Sequence, residues 1–284
     1  MTNPKNKIDF IFFGTPQFAV FALEELEKEG LLPSLVVTAP DRPAGRGLAL
    51  TKSPVKIWAE EHSIKISQPE KLNEEFIDKL KTDSYELAIV AAYGKIIPNE
   101  ILDTPKHGTL NAHPSLLPKY RGPSPLEAQI LAGDEEAGIS IMLLDEEMDH
   151  GPILAQEKFE LGNLNKEELG EKLFRLGGQM LANIIPNWVS GEITAHEQNH
   201  EQATYTKKIA KQDGLVDLND DSKTNWNKFR AYYGWPGTFF FTKRYGKEIR
   251  VKITDAEFKN NEFVVKKVIP EGKKEINYDQ FLTN

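Results

Sequence analysis

Residues 8–26 read I-D-F-I-F-F-G-T-P-Q-F-A-V-F-A-L-E-E-L, and this stretch decides the fold. An apolar run ends at Gly14, and four apolar residues then follow the i, i+3, i+4, i+7 spacing of a helix face: Ala19, Ala22, Leu23 and Leu26. The stretch therefore predicts a strand, a glycine turn and a helix. A single glycine lacks the G-x-G-x-x-G spacing that a dinucleotide site requires, so no such site is predicted.

The same alternation continues along the chain. Further strands are predicted at residues 35–38, 87–92, 109–112 and 139–144, and helices at 55–61 and 74–80. A long helix, with an apolar face from Leu169 to Ile184, is predicted to end at Pro186. Such alternation is typical of a Rossmann-like, mostly parallel sheet with helices on both faces.

The last part of the chain has a different pattern. A polar stretch at 190–204 is predicted to be a linker. Beyond it, one helix is predicted at 226–233, and short β-branched or aromatic runs follow at 238–242, 249–253 and 263–268. We therefore predict a first domain at 1–189 and a small, mostly β domain at 205–284.

Composition excludes several classes of protein. The 284 residues include no cysteine, which rules out disulfides, thiolate catalysis and zinc sites built on sulfur. No apolar run approaches the length of a membrane span, so we expect a cytoplasmic protein without a membrane segment. Charge is uneven, because residues 205–284 carry 16 Lys and Arg against 11 Asp and Glu, while the whole chain has a net charge of −8. The two parts are expected to have different roles.

Candidate chemical groups lie where predicted strands end. Asn111 and His113 alternate along one strand, so both side chains face the same way at the carboxyl end, where open α/β sheets bind ligands. Asp149 lies in a loop after another strand. An amide, an imidazole and a carboxylate together can stabilise an oxyanion and move protons without a metal.

Spacing alone does not select these residues. Singly, the asparagine, the histidine and the aspartate each also fit a structural role, as a partner for backbone groups or a turn cap. The same loop offers a rival imidazole and three rival carboxylates: His150, Asp145, Glu146 and Glu147. A metal site at His113, Asp149 and His150 is disfavoured, because helical or hairpin ligand spacing is missing.

Two longer motifs resemble a known family. They are N-A-H-P-S-L-L-P-K-Y-R-G-P-S-P at residues 111–125 and D-E-E-M-D-H-G-P-I-L-A-Q at 145–156. Both are similar to signatures of the 10-formyltetrahydrofolate-dependent formyltransferases. The resemblance implies that Asn111, His113 and Asp149 form the catalytic trio, that 10-formyltetrahydrofolate is the formyl donor, and that no metal takes part.

The resemblance also implies where the folate lies. It places the folate against Ser115, Leu116, Leu117 and Pro118, and against the backbone of residues 145–149. Residues 91–98, A-A-Y-G-K-I-I-P, would line the pterin pocket. From residue chemistry alone, the S-L-L-P segment is equally well explained as a proline-bracketed loop that shapes the sheet edge.

Family members differ in the amine they formylate, which is a glycinamide ribonucleotide, a nucleotide-linked amino sugar or an aminoacyl-tRNA. Residues 40–56, P-D-R-P-A-G-R-G-L-A-L-T-K-S-P-V-K, resemble the insertion with which methionyl-tRNA formyltransferases engage the acceptor stem. The implied tRNA contacts are Arg42, Arg46 and Lys52. The segment has four cations against one carboxylate, which suits phosphate contacts but also suits a solvated basic loop. Leu48, Ala49 and Leu50 stand where the commonest form of the insertion has further lysines.

Three C-terminal motifs resemble the β-barrel domain of the methionyl-tRNA formyltransferases: A-T-Y-T-K-K-I at 203–209, R-A-Y-Y-G-W-P-G-T at 230–238 and P-E-G-K-K at 270–274. The resemblance implies an OB-like barrel that binds tRNA, and a monomer that formylates initiator methionyl-tRNA. The alternatives are an amino-sugar formyltransferase and a tRNA-binding protein whose catalytic site has decayed.

Overall fold

The computed structural model describes residues 8–44, 49–244 and 246–283. The chain forms two compact units. The first joins Met1–Gly122, Gly138–Lys158 and Gly170–Tyr205, and the second joins Pro123–Ala137, Phe159–Leu169 and Thr206–Asn284. Both units are thus discontinuous in sequence. The segment 190–204, predicted as a linker, lies in the first unit, where the backbones of Ile153 and His196 exchange two hydrogen bonds of 2.8 Å. The domain boundaries remain a prediction.

The strands and helices have the following bounds. The strands are β1 (Phe10–Gly14), β2 (Leu35–Val37), β3 (Arg42–Ala44), β4 (Ala49–Thr51), β5 (Lys65–Ser67), β6 (Leu87–Ala91), β7 (Thr109–His113), β8 (Glu136–Leu143), β9 (Ile153–Glu160), β10 (Phe239–Arg244), β11 (Lys247–Lys259), β12 (Glu262–Pro270) and β13 (Ile276–Asn277). The helices are α1 (Gln17–Lys28), α2 (Pro54–Glu61), α3 (Glu74–Asp83), α4 (Asn99–Leu102), α5 (Pro125–Ala132), α6 (Lys166–Val189), α7 (Ser222–Ala231) and α8 (Tyr278–Thr283).

A seven-stranded sheet has the order β5-β2-β1-β6-β7-β8-β9. The pairs β1/β2, β1/β6, β2/β5 and β6/β7 are parallel, and β7/β8 is antiparallel. The predicted mostly parallel sheet is therefore confirmed. Because β1, β6 and β7 run in the same direction, their carboxyl ends meet at one edge of the sheet, and strand order reverses beside β1.

The central strands are buried because both faces of the sheet are covered. All five residues of β1 and of β6 are buried, which agrees with their continuous apolar sequences. Gly14, where β1 ends, is needed for close packing, because a Cβ there would lie 2.7 Å from the Cβ of Ala19 in α1. The predicted strand, glycine turn and helix are confirmed.

Helix α6 packs closely on α1. A Cβ at Gly178 would lie 2.7 Å from the carbonyl oxygen of Ala22, so only glycine permits this approach. The prediction that the helix ends at Pro186 is wrong, because α6 continues to Val189. Proline removes one backbone donor, but the last turn still closes when Ser190 donates to the Pro186 carbonyl at 3.0 Å. Burial of Ile184 and Ile185 favours the continued helix.

The second unit contains an antiparallel sheet of order β10-β11-β12-β13. Its core is apolar and includes Val216, Phe240, Val251 and Val268, which are at most 8% exposed. Helix α7 packs on β11, β12 and α5. The predicted mostly β character of the C-terminal domain is confirmed. None of the helices described combines the length and apolar composition that a bilayer crossing requires.

Candidate active site

The carboxyl end of β7 carries Asn111 and His113. Asn111 lies opposite Val90 of β6 and Met142 of β8, and His113 lies opposite Ser140 of β8. The two residues are 9% and 4% exposed. Their alternation along the strand puts both side chains on one face, at the sheet edge where the parallel strands end. The structure therefore brings together two of the three predicted catalytic groups.

The side-chain amide of Asn111 has no hydrogen-bond partner among the residues that the structure describes. A nearly buried amide can donate two hydrogen bonds, and an unused donor in such a place usually has a ligand or water as its partner. The Asn111 amide is thus available to an oxygen atom of a bound substrate.

The imidazole of His113 lies between two oxygen acceptors. Nε2 is 3.1 Å from the backbone carbonyl oxygen of Tyr120, and Nδ1 is 3.6 Å from Oδ1 of Asp149. A carbonyl oxygen only accepts, so the contact with Tyr120 requires a proton on Nε2. A second proton, on Nδ1, would point at the carboxylate. The ring is therefore oriented by both neighbours.

Asp149 has an unusual backbone conformation, with a φ of 50°. This left-handed region costs most residues about 1–2 kcal/mol, although Asp and Asn enter it more readily. The carboxylate is fixed by the backbone N–H of Gly122, which donates to Oδ2 at 2.6 Å. The other oxygen, Oδ1, remains directed at His113. The loop of β7 and the loop after β8 thus meet through this carboxylate.

The rival groups of the same loop are placed differently. Asp145 accepts a hydrogen bond from His150 at 2.8 Å, and Glu146 and Glu147 are exposed. Residue chemistry alone had left all of these open, and the geometry brings only Asp149 to His113. Among the described residues, no group of three His, Asp or Glu side chains is arranged to hold a metal ion.

Two polar side chains, from strands β8 and β9, fix the backbone of the segment Ser115, Leu116, Leu117 and Pro118. Ser140 Oγ donates to the Ser115 carbonyl at 2.6 Å and accepts from the backbone N–H of Leu117 at 3.1 Å. Gln156 Nε2 donates to the Leu117 carbonyl at 2.9 Å and to Ser140 Oγ at 2.8 Å. The backbone of the predicted folate segment is therefore held rigidly.

Ser140 and Gln156 were not among the predicted site residues. Ser140 is the one polar residue in the run I-S-I-M-L-L, and it is completely buried. A buried hydroxyl requires a hydrogen-bond partner. A single serine in a buried apolar strand therefore indicates a polar contact, which the sequence could have revealed. Gln156 was included in a motif but had no role assigned.

Ser140→Ala tests the support of this segment. The change leaves the Ser115 carbonyl and the Leu117 N–H without their buried partner, so the free energy of unfolding should fall by about 1–3 kcal/mol. Urea unfolding measures this loss. Glu157→Ala, on the exposed part of β9, is the control. Unchanged stability in Ser140→Ala would contradict the assigned support.

The segment that follows β6 was predicted to line a pterin pocket. Tyr93 is buried, and its hydroxyl has no partner among the described residues. Burial raises the pKa of Tyr93 to about 12, so the hydroxyl keeps its proton at neutral pH. Thr15, just after β1, donates to the Tyr93 carbonyl at 3.1 Å. The segment therefore lies at the same sheet edge as Asn111.

The basic segment forms a hairpin of β3 and β4, in which Arg42 lies opposite Thr51. Arg42 is exposed, and no ion pair of its side chain is found in the described residues. Lys52 pairs with Glu60 at 2.7 Å and Lys56 with Asp41 at 2.6 Å. Arg46 lies outside the described residues. Two of the segment's four cations are thus already paired within the protein.

Comparison with known proteins identifies the family. Residues 6–185 match the family described as Formyl transferase, and residues 208–266 match Formyl transferase, C-terminal domain. The chain belongs to the formyl transferase family. It is 43% identical over 243 residues to the methionyl-tRNA formyltransferase of Chloroflexus aurantiacus, a match that covers 85% of this chain and 78% of the relative. The protein of the same name from Thermus thermophilus is 39% identical over 264 residues, covering 92% and 85%.

Solved structures agree with the formyl transferase fold. A 4-N formyltransferase from Francisella tularensis superposes with a TM-score of 0.66 and 19% identity, covering 86% of this chain and 97% of that one. A methionyl-tRNA formyltransferase from Clostridium thermocellum gives a TM-score of 0.60, also at 19% identity, and covers 95% and 99%. At this identity the likeness concerns the fold alone.

Proposed function

We propose that this formyl transferase moves the formyl group of 10-formyltetrahydrofolate to the α-amino group of initiator methionyl-tRNA. The observation that carries the chemistry is the arrangement of Asn111, His113 and Asp149 at one sheet edge. The choice of tRNA as acceptor is supported by the relatives, which are 39% to 43% identical and are named for that reaction. We further propose that the enzyme acts in the cytoplasm and is a monomer.

The reaction requires an uncharged amine. The α-amino group has an unperturbed pKa of about 7.7–8.0, so part of the substrate is protonated at neutral pH. The amine nitrogen forms a bond to the formyl carbon and loses a proton, while the bond from that carbon to the folate nitrogen breaks and this nitrogen gains a proton. Asp149, 14% exposed beside His113, is the group that accepts the amine proton, directly or through water.

Negative charge develops on the formyl oxygen when the amine attacks. The unpartnered amide of Asn111 is suited to donate to this oxygen. His113 is the second donor: it gives its Nε2 proton to the departing folate nitrogen, while its Nδ1 takes up the proton that Asp149 received from the amine. Its Nε2 is 3.1 Å from the Tyr120 carbonyl, so this contact must lengthen or be shared when the substrate binds.

The folate is proposed to bind against residues 115–118. Their backbone is fixed by Ser140 and Gln156, so little ordering is required when the donor binds. Tyr93 offers an unused hydroxyl proton at the same edge of the sheet. These residues fit a flat, polar heterocycle, which is bound by backbone groups together with apolar contact.

Arg42 is proposed to contact a tRNA phosphate. Arg42→Ala should raise KM for methionyl-tRNA about threefold to tenfold. The slope of the logarithm of tRNA affinity against the logarithm of salt concentration should become shallower by about 1, because one phosphate contact is lost. KM for the folate should stay the same, because Arg42 lies on the β3–β4 hairpin and not on the S-L-L-P segment. Initial rates at several salt concentrations measure both effects.

Lys79→Ala is the matched control, since Lys79 is an exposed cation on α3 of the same unit. It should leave both KM values near those of the unchanged protein. An equal rise in KM for tRNA and for folate in Arg42→Ala would show that Arg42 has been placed wrongly.

The proposed function is tested by formyl transfer itself. The protein is incubated with 10-formyltetrahydrofolate and either methionyl-tRNA or uncharged tRNA, and the aminoacyl ester is hydrolysed to release the amino acid. Formylmethionine should appear only with the charged tRNA. Folate that binds without any transfer would contradict the proposal and favour a tRNA-binding protein with a decayed site.

A further inference from the structure

The loop that carries Asp149 is held by a residue outside the recognised motifs. Gln198, from the segment predicted as a linker, is 6% exposed. Its Nε2 donates to the carbonyl oxygen of Asp149 at 3.0 Å and to that of Gly151 at 2.7 Å. One amide group thus fixes the backbone on both sides of His150, immediately after the left-handed φ of Asp149.

The orientation of the Gln198 amide is fixed from its other end. Its Oε1 accepts from Arg121, at 3.2 Å from Nε and 2.7 Å from Nη2. A guanidinium only donates and a carbonyl oxygen only accepts, so the reverse orientation of the amide would break all four contacts. Arg121 is 2% exposed, so its two hydrogen bonds to Gln198 are shielded from water. Hydrogen bonds to a charged group are strong in such surroundings.

Arg121 and Gly122 fix two different parts of Asp149, its backbone carbonyl and its carboxylate. The backbone N–H of Gly122 donates to the carboxylate of Asp149 at 2.6 Å. The side chain of Arg121 holds Gln198, which holds the Asp149 carbonyl. The backbone of Arg121 is itself anchored, because its N–H donates to the Thr204 carbonyl at 2.9 Å. Backbone and carboxylate of Asp149 are therefore fixed from the same short segment.

We propose that Gln198 is a positioning residue for formyl transfer, which holds the Asp149 backbone in the conformation that directs its carboxylate at His113. The inference rests on the proposed function. Asp149 occupies a backbone region that requires support from its surroundings, and Gln198 supplies that support from the carbonyl side. A catalytic group displaced by about 1 Å can cost about 10²-fold in rate.

The most informative variant is Gln198→Glu. Glutamate keeps the acceptor oxygen for Arg121, and thus the buried contact that supports folding. It replaces the donating NH2 by an oxygen that repels the carbonyls of Asp149 and Gly151. The expected result is a fall in kcat of about 10- to 100-fold, with KM for folate and for methionyl-tRNA unchanged. Gln198→Leu, which removes both contacts, should lose at least as much.

Gln202→Glu is the matched control, since Gln202 is an exposed glutamine four residues further along the same segment. It introduces the same charge and should leave kcat unchanged. Thermal unfolding of each variant shows whether the fold is retained.

A double-mutant cycle separates positioning from general stability. If Gln198 acts through Asp149, then Gln198→Glu should lower single-turnover rates little further once Asp149→Asn is present. An unchanged kcat in Gln198→Glu would overturn the inference. So would a rate that Gln198→Glu lowers by the same factor with Asp149 and with Asn at position 149. Failure of the proposed function would be seen separately, as an absence of formylmethionyl-tRNA with the unchanged protein.

Discussion

Asn111→Ala is expected to lower kcat for formyl transfer by about 10²- to 10³-fold, the usual loss when one oxyanion donor is removed. The Asn111 amide has no partner in the described part of the chain, so its removal leaves no buried group without a hydrogen bond. Folding and folate binding should therefore be almost unaffected. Single-turnover transfer rates, together with the dissociation constant for tetrahydrofolate, measure the two effects independently.

Asn183→Ala is the control for this change, because Asn183 is exposed on α6. Its turnover should stay within about twofold of the unchanged protein, as for most surface substitutions. Near-normal turnover in Asn111→Ala would remove Asn111 from the mechanism. A weakened affinity for folate that accounted for the whole loss would make it a binding residue instead.

Asp149→Asn is expected to lower kcat by about 10²- to 10⁴-fold, the range that general acid–base groups contribute. Asparagine tolerates a positive φ at least as well as aspartate does, and its side-chain oxygen can still accept from Gly122. The loop should therefore keep its shape, while the charge beside His113 is lost. Transfer rates at saturating substrate, with a thermal unfolding midpoint for each protein, measure the change.

Glu147→Gln is the matched control for the lost charge. Glu147 lies in the same loop and is exposed, so its neutralisation should change kcat by no more than about twofold. An equal loss in both variants would mean that the general charge of the loop matters, and not the contact of Asp149 with His113.

The central strands could be predicted from the sequence because burial on both faces leaves continuous apolar runs. Strands β5 and β9 were not predicted, and they lie at the two edges of the sheet. Strand β9 reads I-L-A-Q-E-K-F-E and none of its residues is buried, so it lacks the apolar pattern of a buried strand. The end of α6 was misplaced because local proline rules neglect the tertiary burial of the last turn.

The candidate site was predictable to a different degree in each of its parts. Strand periodicity put Asn111 and His113 on one face, whereas the choice of Asp149 over its rivals came from the family motifs. The structure then gives the physical difference, since Asp149 lies 3.6 Å from His113 and Asp145 pairs with His150. The functional roles of these residues stay a prediction.

The contacts that run from Arg121 through Gln198 to the Asp149 carbonyl could not be predicted from the sequence. Arg121 and Gln198 are 77 positions apart, and a glutamine in a polar stretch looks like a solvated residue. Only the folded chain shows that this segment returns to the site. Pairings of this kind depend on tertiary structure, which neither periodicity nor local motifs contain.

The proposed substrate is distinguished from its main alternative by the acceptor specificity of the enzyme. Formyl transfer from 10-formyltetrahydrofolate would be measured on initiator methionyl-tRNA and, at matched concentration, on a nucleotide-linked amino sugar. We expect rapid transfer to methionyl-tRNA and none to the sugar. Transfer to the sugar alone would leave the chemistry of Asn111, His113 and Asp149 in place, but it would contradict the proposed substrate and the proposed role of the Arg42 hairpin.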